Sequence, residues 1–166
     1  TVTVGDAFKG AGYATGYVGK WHLGGQSAVP YGFDYSMIWS NTNTHFDVST
    51  FQSHTGETGQ PEGYNATLMT DQAEEFIRAN RVTPFFLMLS WNPPHSNYLD
   101  APEDMLALYP EGSLPYRENY VARKEETARQ KLRRGEDDDA QYRGYHAHVS
   151  AVDRELGRLM DLLEEL

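Results

Sequence analysis

Pro84-Phe85-Phe86-Leu87-Met88-Leu89-Ser90 is a short, nearly continuous apolar run, the pattern of a strand buried on both faces of a parallel sheet. It stops at Asn92-Pro93-Pro94, where two prolines withdraw backbone donors and turn the chain out of a ladder. His95 therefore sits just beyond a strand's carboxyl end, where open α/β sheets bind ligands. Ahead of the run, Asn65 or Thr67 can cap a helix reaching about Asn80. It carries Leu68, Met69, Ala73, Phe76 and Ile77 on one side and Asp71, Glu74, Glu75 and Arg78 on the other. A helix that feeds a buried strand predicts α/β architecture, a mostly parallel sheet flanked by helices.

Working outward, Val4 to Ala11 reads as a helix stopped at Gly12, and Tyr13–Gly19 as a strand rich in aromatic and β-branched residues. Residues from about 24 to 63 are dense in Gly, Ser, Thr, Asn and Pro and read as a long polar loop with one strand at Tyr35–Ser40. After a turn-rich stretch with Pro102, Pro110 and Pro115, a charged helix is expected from Asn119 to Arg134, broken by Gly135. A second helix, from about 138 to 166, places Tyr145, Val149, Val152, Leu156, Leu159 and Leu163 on one apolar stripe. At about 1.5 Å per residue it is roughly 40 Å long, so it needs a broad surface to cover.

The 166 residues, 39% of them hydrophobic, allow one domain with a modest core, and the formal charge is −10. No basic groove forms, which argues against nucleic acid as a partner. No stretch approaches the roughly 20 apolar residues of a membrane span. The absence of cysteine removes disulfides, thiolate metal sites and cysteine nucleophiles from these residues.

Gly19-Lys20-Trp21-His22-Leu23-Gly24 is the densest chemical candidate. In extended chain, Lys20 and His22 share a face while Trp21 points into packing. A fixed ammonium beside an imidazole suits an oxyanion, because the cation neutralises nonbridging oxygens and the ring exchanges a proton with a nucleophile or leaving oxygen. His95 is the second candidate. His45 and His54, in the polar loop, read as solvated, with a place in a substrate cleft as the functional alternative. His146 and His148 face different directions on a helix, which argues against a shared metal site. The acidic run Glu136–Asp139 lacks the spacing and glycine of a calcium loop and reads as a solvated helix start.

Gly12-Tyr13-Ala14-Thr15-Gly16-Tyr17-Val18-Gly19-Lys20-Trp21-His22-Leu23-Gly24 resembles the second signature of the sulfatase family. Pro84-Phe85-Phe86-Leu87 through Pro93-Pro94-His95 resembles that family's buried strand and active-site histidine, and Thr70-Asp71-Gln72-Ala73 with Phe76-Ile77 resembles the preceding helix. Leu114-Pro115-Tyr116-Arg117-Glu118-Asn119 is similar to a looser element. Tyr145 through Asp153, with Leu156-Gly157-Arg158-Leu159, is similar to the family's long helix.

The resemblance implies an alkaline-phosphatase-like α/β fold and hydrolysis of carbohydrate or aryl sulfates. It implies that Lys20 holds the sulfate, that His22 contacts a formylglycine nucleophile, and that His95 binds sulfate near the leaving oxygen. It also implies calcium, and a parent protein that is periplasmic, secreted or lysosomal. In the family the Cys/Ser-x-Pro-x-Arg nucleophile motif and an Asp-Asp metal pair precede the region matched by Thr1, and an Asp-Asn metal motif follows the long helix; residues 1–166 are expected to hold none of the three. Residues 1–166 are therefore expected to be the central portion of one catalytic domain, catalytically silent alone, with neither calcium nor formylglycine site complete. Rival readings are a phosphodiesterase or phosphonate monoester hydrolase of the same superfamily, and a non-catalytic binding domain on a sulfatase-like framework.

Overall fold

Strand β1 (Ala14–Lys20) runs parallel to both neighbours, β2 (Tyr35–Trp39) on one side and β5 (Phe85–Ser90) on the other. The computed structural model describes residues 1–23, 27–39, 43–46, 51–119 and 138–166. Beyond β2 the sheet is extended by two short antiparallel strands, β3 (Phe51–Ser53) and β4 (Thr58–Gly59), in the order β4-β3-β2-β1-β5. The expected parallel core is present, but the sheet is mixed. The hairpin of β3 and β4 lies inside the stretch read as polar loop, where a few polar residues in each strand leave no alternation to detect.

Alternate residues of β1 feed two cores. Tyr17 packs with Trp21, Phe33 and Ile38 on one face. There Phe86 stacks on Phe8 of helix α1 (Val4–Gly10), with ring centroids 4.0 Å apart. Helix α1 is opened by a reciprocal cap in which the Thr3 hydroxyl accepts from the Asp6 amide and the Asp6 carboxylate from the Thr3 amide. On the other face Val18 meets Met37, Trp39 and Met69, the last from helix α2 (Asn65–Ala79). Met69, Ala73, Phe76 and Ile77 are buried on α2, as its periodicity requires. Its cap differs from expectation: Tyr64 is the capping residue and makes no side-chain cap bond. Asn65 instead donates to the Thr44 carbonyl (3.3 Å) and Thr67 to Glu155 (2.8 Å).

Two sequence expectations are corrected. Strand β5 is an edge strand among the described residues, paired with β1 alone, and Met88 is 41% exposed rather than buried on a second face. The last helix, α4 (Asp138–Glu165), comes after the short helix α3 (Glu103–Leu106) among the described residues and has the expected length. However, it buries Gly144, Ala147, His148, Ala151, Glu155, Leu159 and Leu162. Of the expected stripe only Leu159 is inside, while Tyr145, Val149, Leu156 and Leu163 are exposed. The buried face is one of small residues and hydrogen-bonded polar groups, a pattern a hydrophobicity count passes over. Glu155 accepts from Thr67 and, at 2.7 Å, from Arg158, which also reaches Asp71 of α2 at 2.7 Å. Pairing of this kind makes burial of a carboxylate tolerable. The charged helix expected between Asn119 and Arg134 lies outside the described residues, apart from Asn119 itself.

Gly144 shows how close α4 comes to the loop after β5. A Cβ there would fall 2.0 Å from the Tyr98 carbonyl oxygen, against backbone that cannot swing aside. Gly144→Ala is expected to lower stability by about 1–3 kcal/mol, the usual cost of overpacking. Chemical denaturation of the two proteins checks this; equal midpoints would show that the contact is not tight.

Candidate active site

Three parallel strands deliver polar side chains to one edge of the sheet. Lys20 is the last residue of β1, Asn43 follows β2, and Asn92 and His95 follow β5. The end of β1 is bent at Gly19, whose φ of 121° favours glycine and where a Cβ would lie 2.1 Å from the Ser90 carbonyl oxygen. The two backbones therefore close together where Lys20 leaves the strand.

The Lys20 ammonium donates to Asn43 Oδ1 and to Asn92 Oδ1, both at 2.8 Å. An ammonium has three donors, so this seat leaves one N–H for a ligand. Both holders are neutral carboxamides, and no carboxylate pairs with Lys20 among the described residues. The positive charge is thus oriented without being cancelled. Burial lowers the lysine pKa from its ordinary value, a cost that an arriving anion would relieve. Asn92 is itself buried, and its Nδ2 has no partner among the described residues.

Lys20, His22 and His95 line one cavity of about 540 Å³, together with Asn92 and an aromatic wall that includes Trp21, Tyr31 and Trp91. Trp21 packs inward, edge-on to Tyr17 at 4.8 Å, while His22 is exposed, as strand alternation predicts. His95 is also exposed. Its amide donates to the Asn92 carbonyl (3.1 Å), and its Nδ1 lies 2.6 Å from the Ser96 carbonyl oxygen. A carbonyl only accepts, so Nδ1 carries a proton, which leaves Nε2 to exchange one with a ligand.

Sequence reasoning missed Asn43 and Asn92; the available signal was a carboxamide within a few residues of a strand end. It also misjudged His45, which is not solvated, whereas His146 and His148 do face different directions. His54 is exposed as expected, with its ring 5.1 Å from Tyr35, but His45 and His148 have no exposure at all. His45 donates from its amide to Asp100 Oδ2 (3.0 Å) and from Nδ1 to Asp100 Oδ1 (2.7 Å). His148 Nε2 lies 3.2 Å from the Asn97 carbonyl and 3.4 Å from Asp100 Oδ1, and its Nδ1 accepts from the Tyr64 hydroxyl at 2.8 Å. His146 faces elsewhere, against Tyr109 and Tyr142.

Against the expectation that these residues hold no Cys/Ser-x-Pro-x-Arg motif, the letters Ser-x-Pro-x-Arg do occur, at Ser113-Leu114-Pro115-Tyr116-Arg117. That segment is an exposed turn in which Ser113 N–H donates to Pro110 and Tyr116 stacks on Tyr142 of α4. It lines no part of the cavity, so nothing there activates Ser113 toward a ligand beside Lys20.

Burial lowers the His45 pKa, outweighing its bond to Asp100, which favours the neutral ring. Burial alone would raise Asp100, but hydrogen bonds from His148 and His45 win and hold its carboxyl well below the usual range. Both shifts act in one direction. Below about pH 6.5 the unfolded imidazole takes a proton that the folded one refuses, and below about pH 4 the unfolded carboxyl does the same. Stability is therefore expected to fall in two stages on acidification. In His45→Gln the first stage should shrink, as measured by denaturation midpoints between pH 8 and 4; an unchanged profile would contradict a neutral buried His45.

The sulfatase family profile matches residues 1–166. An ulvan-active sulfatase of Formosa agariphila is 26% identical over 97% of this chain, which covers 31% of that protein. An arylsulfatase of Hemicentrotus pulcherrimus is 31% identical over 58% of the chain, covering 22% of that protein. The chain thus spans about a third or less of the length of these relatives. The crystal structure of the yidJ protein of Bacteroides fragilis superposes with a TM-score of 0.79 at 22% identity, covering 97% of this chain and 39% of that one. The structure of BT4656 with its substrate D-glucosamine-2-N,6-O-disulfate superposes with a TM-score of 0.72 at 22% identity, over 97% and 46%. With its profile matched from end to end, this chain belongs to the sulfatase family.

Proposed function

We propose that the full-length protein carrying this chain hydrolyses sulfate esters of carbohydrates or aryl alcohols, and that Lys20, His22 and His95 bind and turn over the ester. One observation carries the reading: the Lys20 ammonium, seated on two carboxamide oxygens, keeps its charge and one N–H for an anion. A sulfate monoester presents three nonbridging oxygens, and a cation fixed before the ligand arrives stabilises charge without reorganising. His95, whose Nδ1–H is held by the Ser96 carbonyl, is suited, once its Nε2 has taken up a proton, to pass that proton to a leaving oxygen, and His22 to hydrogen-bond a nucleophile. The aromatic wall favours a ring-bearing alcohol, sugar or aryl. Sulfated sugars are what the relatives' names support, through the ulvan-active sulfatase and the bound glucosamine disulfate.

Calcium and formylglycine accompany this chemistry in the family. Among the described residues the cavity wall carries no carboxylate, whereas calcium is held by six to eight oxygens, carboxylates among them. These residues fit the anion and not the cation. The 166 residues alone are accordingly expected to show no turnover.

In the full-length protein, Lys20→Ala or His95→Ala is expected to lower kcat/KM for an aryl sulfate by about 10²-fold or more, and His54→Ala to change it little. Steady-state kinetics with paired aryl sulfate and aryl phosphate decide the substrate class. A preference for phosphate would replace sulfate in this reading, and equal losses in all three variants would remove the site assignment.

A further inference from the structure

A largely buried ionisable cluster takes no direct part in the site above. His45, Asp100 and His148 join the segment after β2, the loop after β5 and helix α4, with Tyr64 at the start of α2 as a fourth member. Two of these segments also carry the anion site. Asn43, which holds Lys20, is two residues before His45, and its carbonyl accepts from the Asn97 amide at 3.2 Å. Asn97 in turn lies beside His148 Nε2 and two residues after His95. Asn65 closes the ring by donating to the His45 carbonyl at 2.8 Å.

We propose that His45, Asp100 and His148 form a buried bracket that positions the lysine seat and the His95 loop against each other. The inference rests on the anion-site reading of Lys20 and makes these three positioning residues. Apolar side chains of similar volume would fill the same space with less desolvation cost, but they would not set direction. Here both carboxylate oxygens of Asp100 are taken by a single residue, His45, which fixes the plane of the carboxylate and the ring together. His148 Nε2 adds a second tie, lying between the Asn97 carbonyl at 3.2 Å and the same Asp100 Oδ1 at 3.4 Å. Two imidazoles and a carboxylate could also ligate a transition metal ion. The 2.7 Å separation of His45 Nδ1 and Asp100 Oδ1 is a hydrogen-bond length. Of the ring nitrogens only His45 Nε2 lacks a partner among the described residues, so the hydrogen-bonded arrangement accounts for the geometry without an ion.

The test measures the dissociation constant of inorganic sulfate by titration calorimetry on the full-length protein, which needs no turnover, beside the melting temperature. His148→Leu and Asp100→Leu are expected to weaken sulfate binding about tenfold or more, a misplacement effect. His148→Gln, which keeps polar contacts, should recover part of it. Tyr64→Phe removes one hydroxyl, is mild enough to fold, and should weaken binding a few-fold; His54→Ala should leave it unchanged. A purely structural role would lower the melting temperature and the folded fraction but leave the affinity of the folded protein intact, and that result overturns the bracket. One zinc per chain by elemental analysis, lost in His148→Gln, overturns it as well. A wild-type protein that does not bind sulfate would overturn the anion-site reading and this inference with it. Sulfate-binding wild type with unchanged variants overturns this inference alone.

Discussion

The parallel pairing of β1 with both β2 and β5 is the constraint on which the rest depends. Parallel neighbours end on the same side, so whatever follows each strand is delivered to a common edge. Lys20, Asn43, Asn92 and His95 come from three separate stretches of sequence and meet there because the ladders hold them in register: Gly19 opposite Ser90, Lys20 opposite Trp39. Reversing any one of these strands would send its polar residues to the opposite edge.

What the sheet positions, the helices hold down. Helix α2 packs on the Val18 face, and α4 lies against α2 through Leu159 and Leu162. Helix α4 also presses on the loop after β5, where Gly144 lets the backbone of Tyr98 come close. The α4 surface that does this is short-side-chained and polar, with Glu155 and His148 in its middle. A helix that buries such a face is fixed by hydrogen-bond geometry as much as by apolar area, which suits an element that must keep a loop in one place.

Much of this was legible in the sequence. The run Phe85–Ser90 and the aromatic stretch before Lys20 gave their strands, and the heptad-like spacing of Met69, Ala73 and Phe76 gave α2 and its inner face. That Lys20, His22 and His95 line one cavity was readable because strand ends and alternation have definite consequences for side-chain placement. The rest depends on contacts distant in sequence. Nothing local to His45 announces Asp100, 55 residues away, or His148 beyond it. Nor does hydrophobic counting find the inner face of α4, since Leu156 and Leu163 outscore Gly144 and Ala151 yet stay outside. The carboxamides beside Lys20 were missed because asparagine after a strand is commonplace in turns.

The lysine seat has a chemical vulnerability built into its neutrality. Hydrolysis of either carboxamide, Asn43 or Asn92, would exchange an NH2 for a negatively charged oxygen within reach of the ammonium. The ammonium would then become half of an internal ion pair, its field spent on its own scaffold. Spontaneous deamidation during storage would thereby silence the site, and the proline after Asn92, by lacking the backbone N–H whose nitrogen attacks in that reaction, leaves Asn43 the more exposed of the two to such ageing.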